Sequence, residues 1–174
     1  MVEELTATLH TSVGQIVVRL FPEYAPQTVS SFIGLAQGTM RWLDPRTDAL
    51  GWGPLYNGTI FHRVVNGLMI QGGDPRADGT GDPGWAFPDE FHPALNFDRP
   101  HMVAMATTAP DTVGSQFFIT VRPAPQLNNR HTIIGEVIQG QDVVDAIAVI
   151  PTGHNGRPIT DVIVHTIKIH RPQN

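Results

Sequence analysis

The sequence has no cysteine. That removes disulfide frameworks and thiolate chemistry together. It fits a reducing compartment, and the expected localisation is cytoplasmic. Long hydrophobic runs are missing too. No stretch approaches the roughly 20 apolar residues that a bilayer-spanning helix needs, so no membrane segment is expected. Positive charge is in deficit: eleven Lys and Arg against sixteen Asp and Glu give a formal charge of −5. A general nucleic-acid binder needs a basic surface, and this chain does not supply one. Residues 1–9 carry Glu3 and Glu4 with no basic region ahead of an apolar core, so they do not read as a secretory leader, and Met1 fits a native start. No internal repeat, low-complexity tract or linker divides the 174 residues, of which 41% are hydrophobic. That suits one domain over residues 1–174 with a single well-filled core.

What is present is mostly strand. Residues 5–10 and 16–21 flank Ser12-Val13-Gly14 and read as a hairpin. Pro22 ends the second strand because it cannot donate to a ladder. Residues 25–36 read as a helix, with Pro26 in its first turn, Val29, Phe32, Ile33 and Ala36 on one face, and Gly38 as a stop. Residues 39–54 have no clear periodicity and read as a long surface loop. Strands follow at 59–72, 102–106, 116–120, 133–138 and 162–170. A second helix is expected over 141–150, with Val144, Ile147 and Ala148 inward and Asp142 near its N-terminus. Residues 75–93 are rich in Gly, Pro and Asp and read as a solvated loop. The string Gly79-Thr80-Gly81-Asp82-Pro83-Gly84 matches a dinucleotide fingerprint in form, but Pro83 and Pro88 oppose the helix that fingerprint requires. Asp74, Asp78 and Asp82 do not fit the calcium-loop pattern. About eight clustered strands and two separated helices, without a βαβ rhythm, predict a mainly β fold: a closed eight-stranded antiparallel barrel capped by two α-helices.

The centre of the chain is FHRVVNGLMIQGGD, residues 61–74. Arg63 is a cation in an apolar run, which is costly unless something uses it. Gly67 bends the run, so that Arg63 and Gln71, eight residues apart, can share a face. Met102-Val103-Ala104-Met105-Ala106-Thr107-Thr108 follows, then Gly114-Ser115-Gln116-Phe117-Phe118-Ile119, and Leu127-Asn128-Asn129-Arg130-His131-Thr132-Ile133-Ile134-Gly135 comes third. These three ordered motifs resemble the cyclophilin family of peptidyl-prolyl cis-trans isomerases, over nearly the whole chain.

The resemblance implies an isomerase of X-Pro peptide bonds that assists protein folding, with no cofactor and no metal. Proline-containing peptides and unfolded or flexible protein segments would be its partners, without nucleic acid or membrane, and the chain is expected to be a monomer. Arg63 matches the catalytic arginine, and Gln71 the glutamine that buttresses it. Leu68, Met69, Phe118, Leu127 and His131 match the proline pocket, with leucine at 68 where the family has phenylalanine. Ala106, Thr107 and Gln116 match the groove for residues preceding the proline, with threonine at 107 in place of asparagine. Gln126 stands where cyclosporin-sensitive members carry tryptophan, so weak cyclosporin binding is expected. His62, next to Arg63 on a strand, faces the other way and reads as structural.

Two other readings compete. A proline-recognising or holding module with little turnover would tolerate Leu68 and Thr107. A metal site is suggested by eight histidines and by Asp89-Glu90-Phe91-His92, but no paired ligand spacing supports it.

Overall fold

The computed structural model describes residues 4–173; the readings placed on Met1 and Glu3 lie outside the described residues. The hairpin β1 (Thr6–Thr11) and β2 (Gly14–Leu20) opens the fold. Helix α1 (Pro26–Gln37) follows, with proline in its first turn and Gly38 ending it in the left-handed conformation at φ 75°. Its N-terminus borrows its cap from far along the chain. Glu90 accepts from the amides of Gln27 (3.2 Å) and Thr28 (2.6 Å) and from the Thr28 hydroxyl (2.6 Å). A carboxylate there satisfies orphan donors and suits the helix dipole.

The 39–54 segment is less irregular than its sequence suggests. It holds a two-stranded hairpin, β3 (Leu43–Asp44) with β4 (Ala49–Leu50). Trp42 is buried at its base and donates its indole N–H to Gly53 O at 3.1 Å, whereas Trp52 is 93% exposed.

The remaining strands are β5 (Thr59–Ile60), β6 (Arg63–Val65), β7 (Met69–Gly72), β8 (Met102–Met105), β9 (Phe117–Thr120), β10 (Ile133–Gln139) and β11 (Ile163–His170). Nine strands form one antiparallel sheet in the order β5-β11-β1-β2-β10-β8-β9-β7-β6. The two ends of that order, β5 and β6, are separated in the chain by Phe61 and His62 alone. The sheet therefore curls until its ends meet at a covalent corner rather than at a hydrogen-bonded ladder. Counting 59–65 as one bent strand gives the eight strands expected. The sequence reading missed how the ring closes, because a two-residue corner leaves no turn signature.

Helix α2 (Gln141–Ile147) is shorter than the expected 141–150. Val149 and Ile150 hydrogen-bond three residues back, to Ala146 and Ile147. The helix thus tightens into turns ahead of Pro151. Val144, Ile147 and Ala148 are buried as expected. The helices sit at the two ends of β2. Chain direction takes α1 away from the Leu20 end, while Val143 of α2 packs on Gly14. Both helices send their apolar faces into the cluster that fills the barrel, with Leu9, Ile16, Ile70 and Ile119.

A second, smaller cluster lies on the outer face of the sheet, around Met69, Met102, Ala104, Phe118, Phe97, Phe21 and Ile133. Period-2 alternation sorts the two. On β7, Ile70 points inward and Met69 and Gln71 outward; on β9, Ile119 points inward and Phe118 outward.

Candidate active site

Four strands present one outer row. Arg63 pairs with Gln71, Gln71 with Phe118, and Phe118 with Ala104. Residues directly opposite in a ladder share a face, so a cation, an amide and an aromatic ring stand side by side. The bend at Gly67 (φ 74°) makes this possible by turning β6 back on β7.

At one end of the row Arg63 is exposed. Among the described residues no carboxylate pairs with it; its guanidinium Nη1 donates to Gln71 Oε1 at 3.4 Å. At the other end lies an apolar slot. Met69 and Phe118 are buried at its floor, with Leu68, Leu127 and Ala106 half-buried against the same cluster. Leu127 comes from a 3-10 turn, Pro125–Leu127. His131 closes the slot edge-on to Phe118, with ring centroids 5.2 Å apart and planes at 86°. Its Nδ1 donates to Met105 O at 3.2 Å, which fixes the ring. His131 is thus both wall and hydrogen-bond partner. Phe97 stacks on Phe118 from behind at 6.0 Å.

A groove of about 470 Å³ opens beside the row, lined by Gln71, Ala106, Thr107, Gln116, Trp85 and the 79–82 loop. Gln116 is the hinge of its polarity. Its Nε2 donates to the carbonyls of Gly79 (3.0 Å) and Gly81 (2.9 Å), and its Oε1 accepts from Gln71 Nε2 at 3.0 Å. All ten residues singled out from the sequence are therefore brought to one outer surface: Arg63 and Gln71, the slot of Leu68, Met69, Phe118, Leu127 and His131, and the groove of Ala106, Thr107 and Gln116.

The 75–93 segment corrects one expectation. It is not simply a solvated loop: Asp74, which enters it, is fully buried, and Gly81 and Pro83 are buried too. Sequence reasoning also missed the turn His154–Gly156, which packs on β6. A Cβ added at Gly156 would lie 2.8 Å from Val64 O and 3.7 Å from Arg63 Cγ, so glycine lets this turn back the arginine's strand. Gly156 is 93 positions from Arg63, and no local pattern links the two. His62 is buried, and burial holds its imidazole below the ordinary range. It lies outside the strands, at the corner before β6, and a Cβ added at Gly79 would lie 3.5 Å from its Nε2. Among the described residues no group of three or more His, Asp or Glu side chains is placed to hold a metal ion.

A family model described as cyclophilin type peptidyl-prolyl cis-trans isomerase/CLD matches residues 6–169. The chain belongs to the cyclophilin family. As a cyclophilin it is a peptidyl-prolyl cis-trans isomerase. It is 51% identical to the probable peptidyl-prolyl cis-trans isomerase A of Mycobacterium leprae, covering 97% of this chain and 94% of that one. It is 50% identical to the peptidyl-prolyl cis-trans isomerase B of Streptomyces anulatus, covering 97% and 98%. Its fold is similar to a crystal structure of a Cryptosporidium parvum cyclophilin obtained in the presence of the dipeptide Ala-Pro, with a TM-score of 0.83, 32% identity and coverage of 95% and 99%. The mainly β, two-helix architecture described above is thus one that a cyclophilin of known structure shares.

Proposed function

We propose that this cyclophilin rotates X-Pro bonds by holding the proline ring in the slot and aiming the Arg63 guanidinium at the imide nitrogen. Rotation about a peptide bond costs about 18–20 kcal/mol because resonance is lost, while the two X-Pro ground states differ by only about 0.5–1 kcal/mol. A catalyst needs no nucleophile and no proton exchange. It needs a donor that binds the twisted amide, whose nitrogen is pyramidal and more basic, better than either planar form. Lowering the barrier by roughly 7 kcal/mol raises the rate on the order of 10⁵-fold.

The observation that carries this reading is the outer row: an exposed arginine with no carboxylate partner among the described residues, two register steps from Phe118. Gln71 steadies Arg63 and faces the substrate backbone. Leu68, Met69, Phe118, Leu127 and His131 receive the proline. Ala106, Thr107 and Gln116 receive the residues before it. Among the described residues none hydrogen-bonds to Thr107, so its main chain is free for a ligand whatever its side chain. The neighbour crystallised with Ala-Pro supports proline-containing peptides as substrates. Folding chains and flexible segments are the clients this chemistry suits, with the chain acting as a cytoplasmic monomer. Gln126 lies exposed on the 3-10 turn beside the slot and offers no indole donor, which supports weak cyclosporin binding.

The test is a protease-coupled assay on a short X-Pro peptide with wild type and Arg63→Ala. The expected outcome is a loss of at least about 100-fold in kcat/KM. Equal rates would remove the arginine from the mechanism.

A further inference from the structure

We propose that Asp74 is a positioning residue for this site, acting through the 78–81 loop and two glutamines on Arg63; the proposal rests on the reading of Arg63 given above. Asp74 is fully buried. A buried carboxylate is unfavourable unless donors surround it, and here they are all main-chain. Oδ1 accepts from Arg76 N at 2.8 Å; Oδ2 accepts from Gly79 N (2.7 Å), Gly81 N (3.2 Å) and Asp78 N (3.3 Å). The loop is thereby wrapped around one side chain. Gly81 lies so close to the carboxylate that a Cβ there would collide with it.

The consequence is a chain of fixed polarity. The amides of Gly79 and Gly81 are turned to Asp74, and their carbonyls both reach Gln116 Nε2. A carbonyl only accepts, so this end of Gln116 must be its NH₂. Gln116 Oε1 is left to accept from Gln71 Nε2, and Gln71 Oε1 to accept from Arg63. Flipping either amide would set two donors or two acceptors face to face, and a buried polar group left unmatched is expensive. Without the carboxylate, the loop has no reason to present two carbonyls at this point, and neither glutamine has a fixed orientation. The side chain that decides which atom Arg63 meets is therefore three residues beyond β7's Gln71 in sequence, and its own hydrogen bonds go to the loop at Arg76, Asp78, Gly79 and Gly81.

The experiment is a double-mutant cycle in full-length protein, using Asp74→Asn, Gln116→Leu and the pair, with kcat and KM on an X-Pro peptide. Asp74→Asn places an NH₂ against backbone donors and is expected to lower kcat about tenfold with KM changed less than about twofold. In the Gln116→Leu background its further effect is expected to fall below about twofold, because the relay is already cut. Equal losses in both backgrounds overturn the proposal, since a purely structural Asp74 costs the same in each. A second measurement does not depend on the variant folding. In wild-type protein the Gln116 side-chain NH₂ protons must exchange much more slowly than those of exposed Gln126. Comparable exchange overturns the relay. If Arg63→Ala keeps full activity, it is the mechanism that fails; if Arg63→Ala is inactive but the cycle is multiplicative, only the role of Asp74 fails.

Discussion

Arg63 and Gln71 face each other across the β6–β7 ladder, joined by a hydrogen bond of 3.4 Å. That length is at the weak end of the range. The amide marks a preferred direction for the guanidinium without occupying its other donors, which stay available to a substrate. Gln71→Leu keeps the size and removes the acceptor. We expect kcat/KM to fall about tenfold, mostly in kcat, because orientation rather than binding is lost. Steady-state kinetics on an X-Pro peptide check this; a change confined to KM would show that Gln71 only binds.

Leu68 is half-buried against Met69 and Phe118 in the slot. Replacing it with phenylalanine supplies a flat face for the proline ring. An aromatic contact contributes about 0.5–1.5 kcal/mol, so KM for Leu68→Phe is expected to fall about two- to tenfold. An unchanged KM would place residue 68 outside the contact.

Gln126 is exposed on its 3-10 turn. Gln126→Trp adds a donor and a large apolar surface beside the slot. Cyclosporin affinity is expected to rise at least about tenfold, read by fluorescence titration. Low-nanomolar binding by the wild type would contradict the role given to this position.

Glu90 caps α1 from a distance, closing three donors with one carboxylate. Glu90→Ala leaves them open. A lost cap costs about 1–2 kcal/mol, which for a domain of this size lowers Tm by about 2–8 °C. A thermal melt followed by circular dichroism reads it directly.

Glu136 joins β10 to Arg19 and Arg99. Burial alone would push its carboxyl up, but hydrogen bonds from Arg99 and then Arg19 outweigh burial and hold it below the usual carboxylate range. A depressed carboxyl contributes stability above its unfolded pKa and loses it as pH falls through the folded value. Denaturant midpoints of wild type and Glu136→Gln should therefore differ at pH 7 and converge as the pH is lowered below about 4. A gap that persists in acid would assign the effect to packing.

Much of this was legible in the sequence, for a physical reason. The hairpin at 6–20, the helix from Pro26 to Gly38 and the shared face of Arg63 and Gln71 are local patterns, set by turn residues, by the bend at Gly67 and by a period of two. The slot residues were named through the resemblance carried by three ordered motifs, not through any local pattern. What escaped depends on contacts between distant residues. Asp74 sits in a run of glycine and proline that looks solvated, and only the loop folding back over it makes it buried. Glu90 is 63 and 62 residues from the two amides it caps. Trp42 anchors a segment with no periodicity because its ring fills space beneath Gly51, not because its neighbours repeat. The end of α2 was overestimated because Val149 and Ile150 continue an apolar run after the helical hydrogen bonds have stopped.

The corner at Phe61-His62 has a consequence for motion. Every other junction around the barrel is cross-linked by amide-to-carbonyl pairs, whereas here two residues of continuous chain span the gap. Arg63 is the first residue past that gap, on a three-residue strand with a neighbour on one side only. Sub-global opening starts where such pairs are fewest, so slow deuterium uptake should map the rest of the wall while residues 63–65 take up label early. Arg63 is thus mounted on an end stave of the cask, held from one side, which loosens without spilling the contents.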